Sequence, residues 1–140
     1  MINRLSHATI YVQDQASALE FYTEKLGFEV RTDVSFEGMR WLTIGPRQQP
    51  DVEMVLMPVQ GGALDEETGA LMAQLLERGA MGVGVLQTDD CRAAYEEFKA
   101  KGVEFISPPQ DQMYGIEAIL KDNQGNWFSL TQPKEMTGNW

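Results

Sequence analysis

The alternation of apolar and polar positions occurs twice along this chain. Residues 7–30 (HATIYVQDQASALEFYTEKLGFEV) align with residues 82–105 (GVGVLQTDDCRAAYEEFKAKGVEF) at an offset of about 75. Identical residues occupy four aligned pairs: Asp14/Asp89, Ala18/Ala93, Gly27/Gly102 and Glu29/Glu104. Because the apolar pattern follows the same register, we interpret the chain as two diverged copies of one module.

In the first copy, strict alternation over residues 7–13 predicts a strand. Asp14 is a suitable N-cap for a helix over residues 15–26, and Gly27 supplies a left-handed stop after it. Three further strands are predicted over residues 28–34, 39–44 and 52–57, separated by turn-forming residues.

The second copy predicts the same order of elements. A strand over residues 82–87 leads to a cap at Asp89 or Asp90 and to a helix that ends at Gly102. Strands follow near residues 103–106, 116–120 and 127–131, and the last two flank a hairpin turn at residues 122–126. Pro108 and Pro109 indicate a loop rather than a strand.

The predicted fold class is α+β: two βαβββ modules that form one concave mixed sheet around a pocket. As domains, we expect a first module at residues 1–60, a connecting helix within 61–80, a second module at 81–132 and a tail at 133–140. Together they make a single domain, because 140 residues are too few for two independent lobes.

Alternation also predicts which side chains point into the concave trough. The first module contributes His7, Thr9, Tyr11, Met39, Trp41, Thr43, Glu53, Val55 and Met57. The second contributes Gly82, Gly84, Leu86, Glu117, Ile119, Trp127, Ser129 and Thr131. The opposite faces of these strands are apolar and suit packing under helices.

Charge and composition exclude several classes of function. A net charge of −10 argues against nucleic-acid binding, which needs clustered Lys and Arg. No stretch approaches the roughly 18 consecutive apolar residues of a membrane span, and the N-terminus lacks a signal-peptide pattern, so we expect a cytoplasmic protein without a membrane partner. A single cysteine excludes an intrachain disulfide.

Four segments carry a resemblance to a known family: LSHATIYVQD, FYTEKLGFEV, TDDCRAAYEEFKAKGVEF and DNQGNWFSLTQ. With the internal repeat, they resemble the vicinal oxygen chelate superfamily, which includes glyoxalase, bleomycin-resistance proteins and extradiol dioxygenases. The resemblance covers nearly the whole chain and implies paired βαβββ modules, a small organic ligand and, often, a homodimer.

Metal-dependent members of that superfamily hold one divalent ion with a His/Glu-rich set from the first and last strands of both modules. By position, this chain offers His7 and Glu53 from the first module. The other two positions fall on Gly82, or Val83 if the register slips by one, and on Ser129. Two protein ligands are too few for a catalytic divalent ion, so we expect no cofactor.

Alternatives to a metal-free pocket remain open. Two chains paired first module to first module would assemble two copies of His7 and Glu53 around one Zn, Ni, Mn or Fe ion. Without a metal, His7 and Glu53 are the candidate catalytic residues, as an acid–base pair. Ser6 is not expected to join them in a triad, because adjacent strand residues point to opposite faces.

The other candidate residues would line a ligand pocket with aromatic, thioether and polar groups. They are Tyr11, Met39, Trp41, Glu117, Tyr114, Trp127 and Ser129. Residues 108–115 (PPQDQMYG) precede a trough strand and are a candidate lid with Gly115 as its hinge.

Three functions are consistent with these residues. The first is a glyoxalase/bleomycin-resistance-like protein that binds, sequesters or modifies a small organic molecule in a metal-free pocket. The second is a metal-dependent lyase or isomerase of the glyoxalase type. The third is a non-catalytic dimeric binding or regulatory protein.

Overall fold

The computed structural model describes residues 1–134 and contains two βαβββ modules joined by a helix. The first module comprises β1 (His7–Val12), α1 (Gln15–Glu20), β2 (Phe28–Phe36), β3 (Met39–Pro46) and β4 (Glu53–Pro58). The connecting helix is α2 (Glu66–Glu77). The second module comprises β5 (Met81–Gln87), α3 (Cys91–Ala100), β6 (Glu104–Gln112), β7 (Gly115–Lys121) and β8 (Asn126–Pro133).

These elements confirm the α+β class and the two βαβββ modules. The predicted tail at residues 133–140 lies mostly outside the described residues. Within residues 1–134, no helix has the length and apolar character needed to cross a membrane.

The strands form two four-stranded sheets rather than the single concave sheet expected from the sequence. The strand orders are β1-β4-β3-β2 and β5-β8-β7-β6. In each sheet the first and last strands of the module run parallel, and the other neighbours are antiparallel. The sheets are separate because the modules meet through their helix-covered faces, which bury the apolar side chains of both.

One hydrophobic core fills the space between the two inner faces. Helix residues such as Ala18, Tyr22 and Cys91 pack there with apolar strand residues of both modules. The strand residues are Ile10, Val12, Leu42, Ile44, Leu56, Ala118, Leu120, Phe128 and Leu130. Burial of this apolar surface drives the association of the modules. Because the modules associate through their inner faces, the outer face of each sheet is left open.

Polar contacts also join the modules at the turn between β7 and β8. The Asp122 carboxylate accepts hydrogen bonds from the Tyr22 hydroxyl (2.6 Å) and from the backbone N–H of Gln124 (2.8 Å). The Gln124 side-chain oxygen accepts from the backbone N–H groups of Gln13 and Asp14, where the first module passes from β1 to α1. Burial and the neighbouring Asp122 carboxylate raise the pKa of Tyr22 well above its ordinary value.

The first helix differs from the continuous α-helix predicted for residues 15–26. The α-helical part is Gln15–Glu20, capped by the Asp14 side chain as predicted, and a π-helical turn follows over Phe21–Lys25. Phe21 and Tyr22 are adjacent in sequence and both buried. A wider turn reduces the angle between neighbouring side chains, which lets both rings reach the core.

The prediction that Pro108 and Pro109 lie in a loop is wrong. Strand β6 continues through both prolines to Gln112, with a shift in its pairing with β7 between Ser107 and Gln110. Edge strands tolerate proline because one side of the strand makes no ladder hydrogen bonds, and β6 is an edge strand. The predicted lid over residues 108–115 is therefore replaced by a strand and a two-residue turn.

Candidate functional site

His7 and Glu53 lie side by side on the outer face of the first sheet. They are register partners in the parallel pairing of β1 with β4, and His7 Nε2 is 3.3 Å from Glu53 Oε2. The other ring nitrogen, Nδ1, lies 2.9 Å from the Ser6 hydroxyl oxygen. The argument that Ser6 and His7 point to opposite faces is wrong, because Ser6 precedes β1 and strand alternation does not apply to it.

Two threonine hydroxyls orient the Glu53 carboxylate. Thr43 of β3 donates to Oε1 at 2.6 Å, and Thr32 of β2 donates to the same oxygen at 3.1 Å. The Thr43 hydrogen bond is the main cause that lowers the pKa of Glu53 below its ordinary 4.5, with smaller contributions from Thr32, His7 and Arg31. Glu53 is thus held as a carboxylate that still has acceptor capacity.

A cleft of about 400 Å³ opens on the same face, toward the carboxyl ends of β1 and β4. Its lining includes Met39, Trp41, Val55 and Met57, all predicted trough residues, together with residues 13–16, 58 and 60–62. Trp41 lines the cleft, and its ring centroid lies 6.2 Å from that of His7. Tyr11 pairs in register with Met57, although it does not line the cleft.

The second sheet carries a different polar group on its outer face. The Glu117 carboxylate of β7 accepts one hydrogen bond from the Tyr114 hydroxyl and one from the Ser129 hydroxyl, each at 2.5 Å. The Ser129 oxygen also lies 2.7 Å from that of Thr131. The neighbouring carboxylate raises the pKa of Tyr114 above its ordinary value. Three predicted pocket residues, Tyr114, Glu117 and Ser129, therefore meet in one cluster.

The two carboxylates lie on different strands of equivalent sheets. Thr43 pairs opposite Val55, and Glu53 lies two residues before Val55 on the neighbouring strand. In the second module Glu117 pairs opposite Thr131, and Ser129 lies two residues before Thr131. The acid therefore lies on β4 and its hydroxyl partner on β3 in the first sheet, whereas the acid lies on β7 and its hydroxyl partner on β8 in the second.

The register of the second module corrects the expected position of the third metal ligand. Val85, not Gly82 or Val83, pairs with Ser129 in the way that His7 pairs with Glu53. The cause is a shift in pairing between Gly82 and Gly84. The same shift turns Leu86, a predicted trough residue, toward the core, while the Val85 side chain is left 69% exposed.

The side chain of Trp127 covers the strand at Gly82. A Cβ atom at that position would overlap the indole ring, so glycine is needed there for packing. This contact explains why the position aligned with His7 lacks a side chain. Trp127 lies on the outer face of the second sheet, as predicted, because its neighbour Phe128 faces the core.

The donor set does not fit a mononuclear metal site within one chain. Among residues 1–134, no three His, Cys, Asp or Glu side chains are grouped as ligands for one ion. His7 and Glu53 supply two donors, whereas valine and serine stand at the equivalent places in the second sheet. Three or four protein donors are usual for zinc.

Two features of the site were not predicted from the sequence. Thr32 reaches Glu53 only because β2 is irregular between Val30 and Thr32, and this irregularity has no clear signal in the sequence. A second cleft of about 410 Å³ lies beside the ends of β6, β7 and β8, where Gly115, Ile116 and Gln132 contribute to its lining. The internal repeat is a signal for part of this cleft, because the ends of β7 and β8 that line it are equivalent to the ends of β3 and β4 that line the first cleft.

Residues 4–130 match the sequence profile of the Glyoxalase/Bleomycin resistance protein/Dioxygenase superfamily. The chain belongs to this superfamily. A Bacillus subtilis member, the uncharacterized protein YurT, is 35% identical over 125 residues, which cover 89% of this chain and 94% of YurT. The match extends across both modules, as the resemblance predicted.

Two solved structures have the same fold as this chain. The crystal structure of UcmS2 aligns with a TM-score of 0.90 at 51% identity and covers 94% of this chain and 98% of UcmS2. TnmS3, an antibiotic binding protein from Streptomyces sp. CB03234, aligns with a TM-score of 0.76 at 26% identity, with 95% and 98% coverage.

Proposed function

We propose that this superfamily member binds a small organic molecule on the outer face of its first sheet, without a resident metal ion. The observation that carries the proposal is the cleft of about 400 Å³ lined by Trp41, whose ring centroid lies 6.2 Å from that of His7, the partner of Glu53. An aromatic ring next to thioether and aliphatic side chains offers stacking and soft contacts to a planar ligand.

The comparison with TnmS3 supports ligand binding, because that protein binds an antibiotic and shares the fold over nearly its whole length. The ligand of this chain is a separate question, since fold is transferred within a superfamily more readily than substrate. Binding or sequestration requires only the cleft and its lining.

A second candidate function is a metal-dependent lyase or isomerase, and the His7–Glu53 pair is the observation that favours it. An imidazole and a carboxylate that lie 3.3 Å apart are of the ligand types that divalent ions accept. Two such pairs brought together by a second chain would supply four donors. This arrangement requires first-module faces to meet across a two-fold axis.

We also propose that the protein is a homodimer. Large apolar side chains remain exposed on or beside the outer faces, among them Val34, Phe36, Val85 and Ile106. Two of these, Val34 and Phe36, pair in register with Trp41 and Met39 of the first cleft. A partner over this surface would bury apolar area and enclose the ligand.

The test is a fluorescence titration of metal-stripped protein with acridine, a planar aromatic compound, combined with sedimentation analysis. We expect saturable binding by a dimer, with Trp41→Ala weakening affinity by about tenfold, the effect of one lost aromatic contact. Leu71→Ala changes an exposed residue of α2 outside the cleft lining and serves as the control.

Three outcomes would count against these proposals. Absence of binding, or equal binding by both variants, would contradict the ligand site. Stoichiometric metal retained after purification, with lyase or isomerase activity abolished by a chelator, would favour the second candidate. A monomer at all concentrations would contradict the dimer.

A further inference from the structure

The first cleft and the two outer faces carry acidic groups, which bear on the kind of ligand that fits. Asp14 and Arg40 are the charged residues of the cleft lining. Arg40 donates two hydrogen bonds to the Asp33 carboxylate, from Nε and from Nη2, each at 2.9 Å. The positive charge in the cleft wall is therefore already neutralised, whereas Glu53 lies on the same sheet face.

Each outer-face glutamate keeps unused acceptor capacity. An ionised carboxylate has about four acceptor sites on its two oxygens. Glu53 receives two threonine hydroxyls and contacts His7, while Glu117 receives one tyrosine and one serine hydroxyl. Only a hydrogen-bond donor or a cation can use the sites that remain.

Cationic side chains near these carboxylates are engaged elsewhere. Arg31, which lies close enough to lower the pKa of Glu53, donates from Nη2 to the carbonyl oxygens of Pro46 and Gln49. Its Nη1 lies 3.5 Å from Glu29. On the second sheet the Lys121 ammonium lies 3.4 Å from the Glu104 carboxylate.

The second cleft is electrostatically balanced, with Asp111 and Lys134 in its lining. An anionic ligand at the first cleft would thus lie near carboxylates and meet a guanidinium that is already paired. A cation would gain charge-assisted hydrogen bonds there.

We propose that the natural ligand of this site is a planar ring system that carries a protonated amine, rather than an anion. This inference rests on the proposed function, because it assigns a chemical class to the ligand of the same site. The ring lies against Trp41 and its apolar neighbours, and the amine is directed to the Glu53 carboxylate. In the homodimer proposed above, Glu117 of a second copy offers the same acceptor chemistry where the outer face of its second sheet lies against the first sheet.

The test compares three compounds that share one ring: 9-aminoacridine, a cation near neutral pH, neutral acridine, and anionic acridine-9-carboxylate. Fluorescence titrations at low and moderate salt give a Kd for each. We expect the cation to bind about tenfold or more tightly than the anion, with a preference that weakens as salt screens the charges.

Substitutions assign this preference to particular carboxylates. Glu53→Gln and Glu117→Gln should each reduce the ratio of cation to anion affinity by about three- to tenfold, since each removes one charge but retains an acceptor oxygen. Glu96→Gln removes the same charge from the exposed surface of α3, away from both outer faces, and should leave the ratio unchanged. Circular dichroism verifies that each variant is folded.

Equal affinity for the cation and the anion would overturn the inference and leave the proposed ligand site intact. The same conclusion would follow if neither Glu53→Gln nor Glu117→Gln reduced the ratio of cation to anion affinity. Failure of all three compounds to bind would contradict both the inference and the proposed function.

Discussion

The two modules have the same strand order and pairing, but their outer faces differ in chemistry. The first presents Met39, Trp41 and Val55 around a cleft, with the His7–Glu53 pair at one end. The second presents the Tyr114 and Ser129 hydroxyl groups around Glu117. One wall suits an aromatic surface, and the other suits hydrogen-bond donors.

This difference shows how a duplicated fold can change its chemistry without changing its backbone. The carboxylate lies on β4 in the first sheet and on β7 in the second, and its hydroxyl partner lies on β3 and on β8, respectively. The diagonal contact between adjacent antiparallel strands is preserved, because both arrangements connect residues two positions apart in the ladder. Histidine, by contrast, has no counterpart in the second module.

The largest expected effect concerns the turn that joins the second module to the first. Asp122→Ala removes a buried acceptor and leaves the Tyr22 hydroxyl and the Gln124 N–H without their partner. We expect the free energy of unfolding to fall by about 3 kcal/mol. Urea denaturation measures it, with Asp51→Ala, an exposed acid beside the corresponding turn of the first module, as the control. Equal losses of unfolding free energy in both variants would show that the turn of the second module is no more important for stability than the turn of the first.

A smaller effect is expected at Gly82 of β5, against which the Trp127 ring packs. Gly82→Ala places a Cβ atom against the Trp127 ring and should cost about 1–3 kcal/mol through overpacking. Gly84→Ala is the matched control on the same strand, because a Cβ there meets nothing within 4 Å. Thermal unfolding compares the two. A more stable Gly82→Ala protein would show that the indole ring moves aside at no cost.

The smallest effect concerns the hydroxyl that holds Glu53. Thr43→Val removes the main donor, so the pKa of Glu53 should rise toward 4.5. Because folding holds this pKa below 4.5, Glu53 stabilises the protein above that pH, and the stabilisation is lost as the pH falls through the folded-state pKa. Carbon-13 NMR titration of the Glu53 carboxyl measures the change. Thr9→Val, at an exposed threonine of β1, should not move it.

The sequence predicted several parts of the site because their signals are local. Alternation placed Trp41 and Glu117 on outer faces. The Asp14 cap and the hairpin turn before β8 were also predicted, since each depends on a few neighbouring residues.

Other predictions were wrong because they depended on irregular pairing. The shift in β5 exchanged the faces of Val85 and Leu86, and alternation assumes that no residue is inserted. Proline at 108 and 109 was assigned to a loop, although an edge strand can contain it. Neither irregularity is visible in the order of residue types alone.

The sequence by itself determined the repeated module, the order of its strands and helices, and the residue types that each outer face would carry, because these follow from hydrophobic periodicity and local capping. Only the tertiary structure decided that the modules share one core through their helix-covered faces, which leaves two separate sheets. It also decided that Glu53 and Glu117 each meet two hydroxyl groups. Such contacts join residues on different strands, and their partners depend on pairing register and bulges, which are properties of the folded chain.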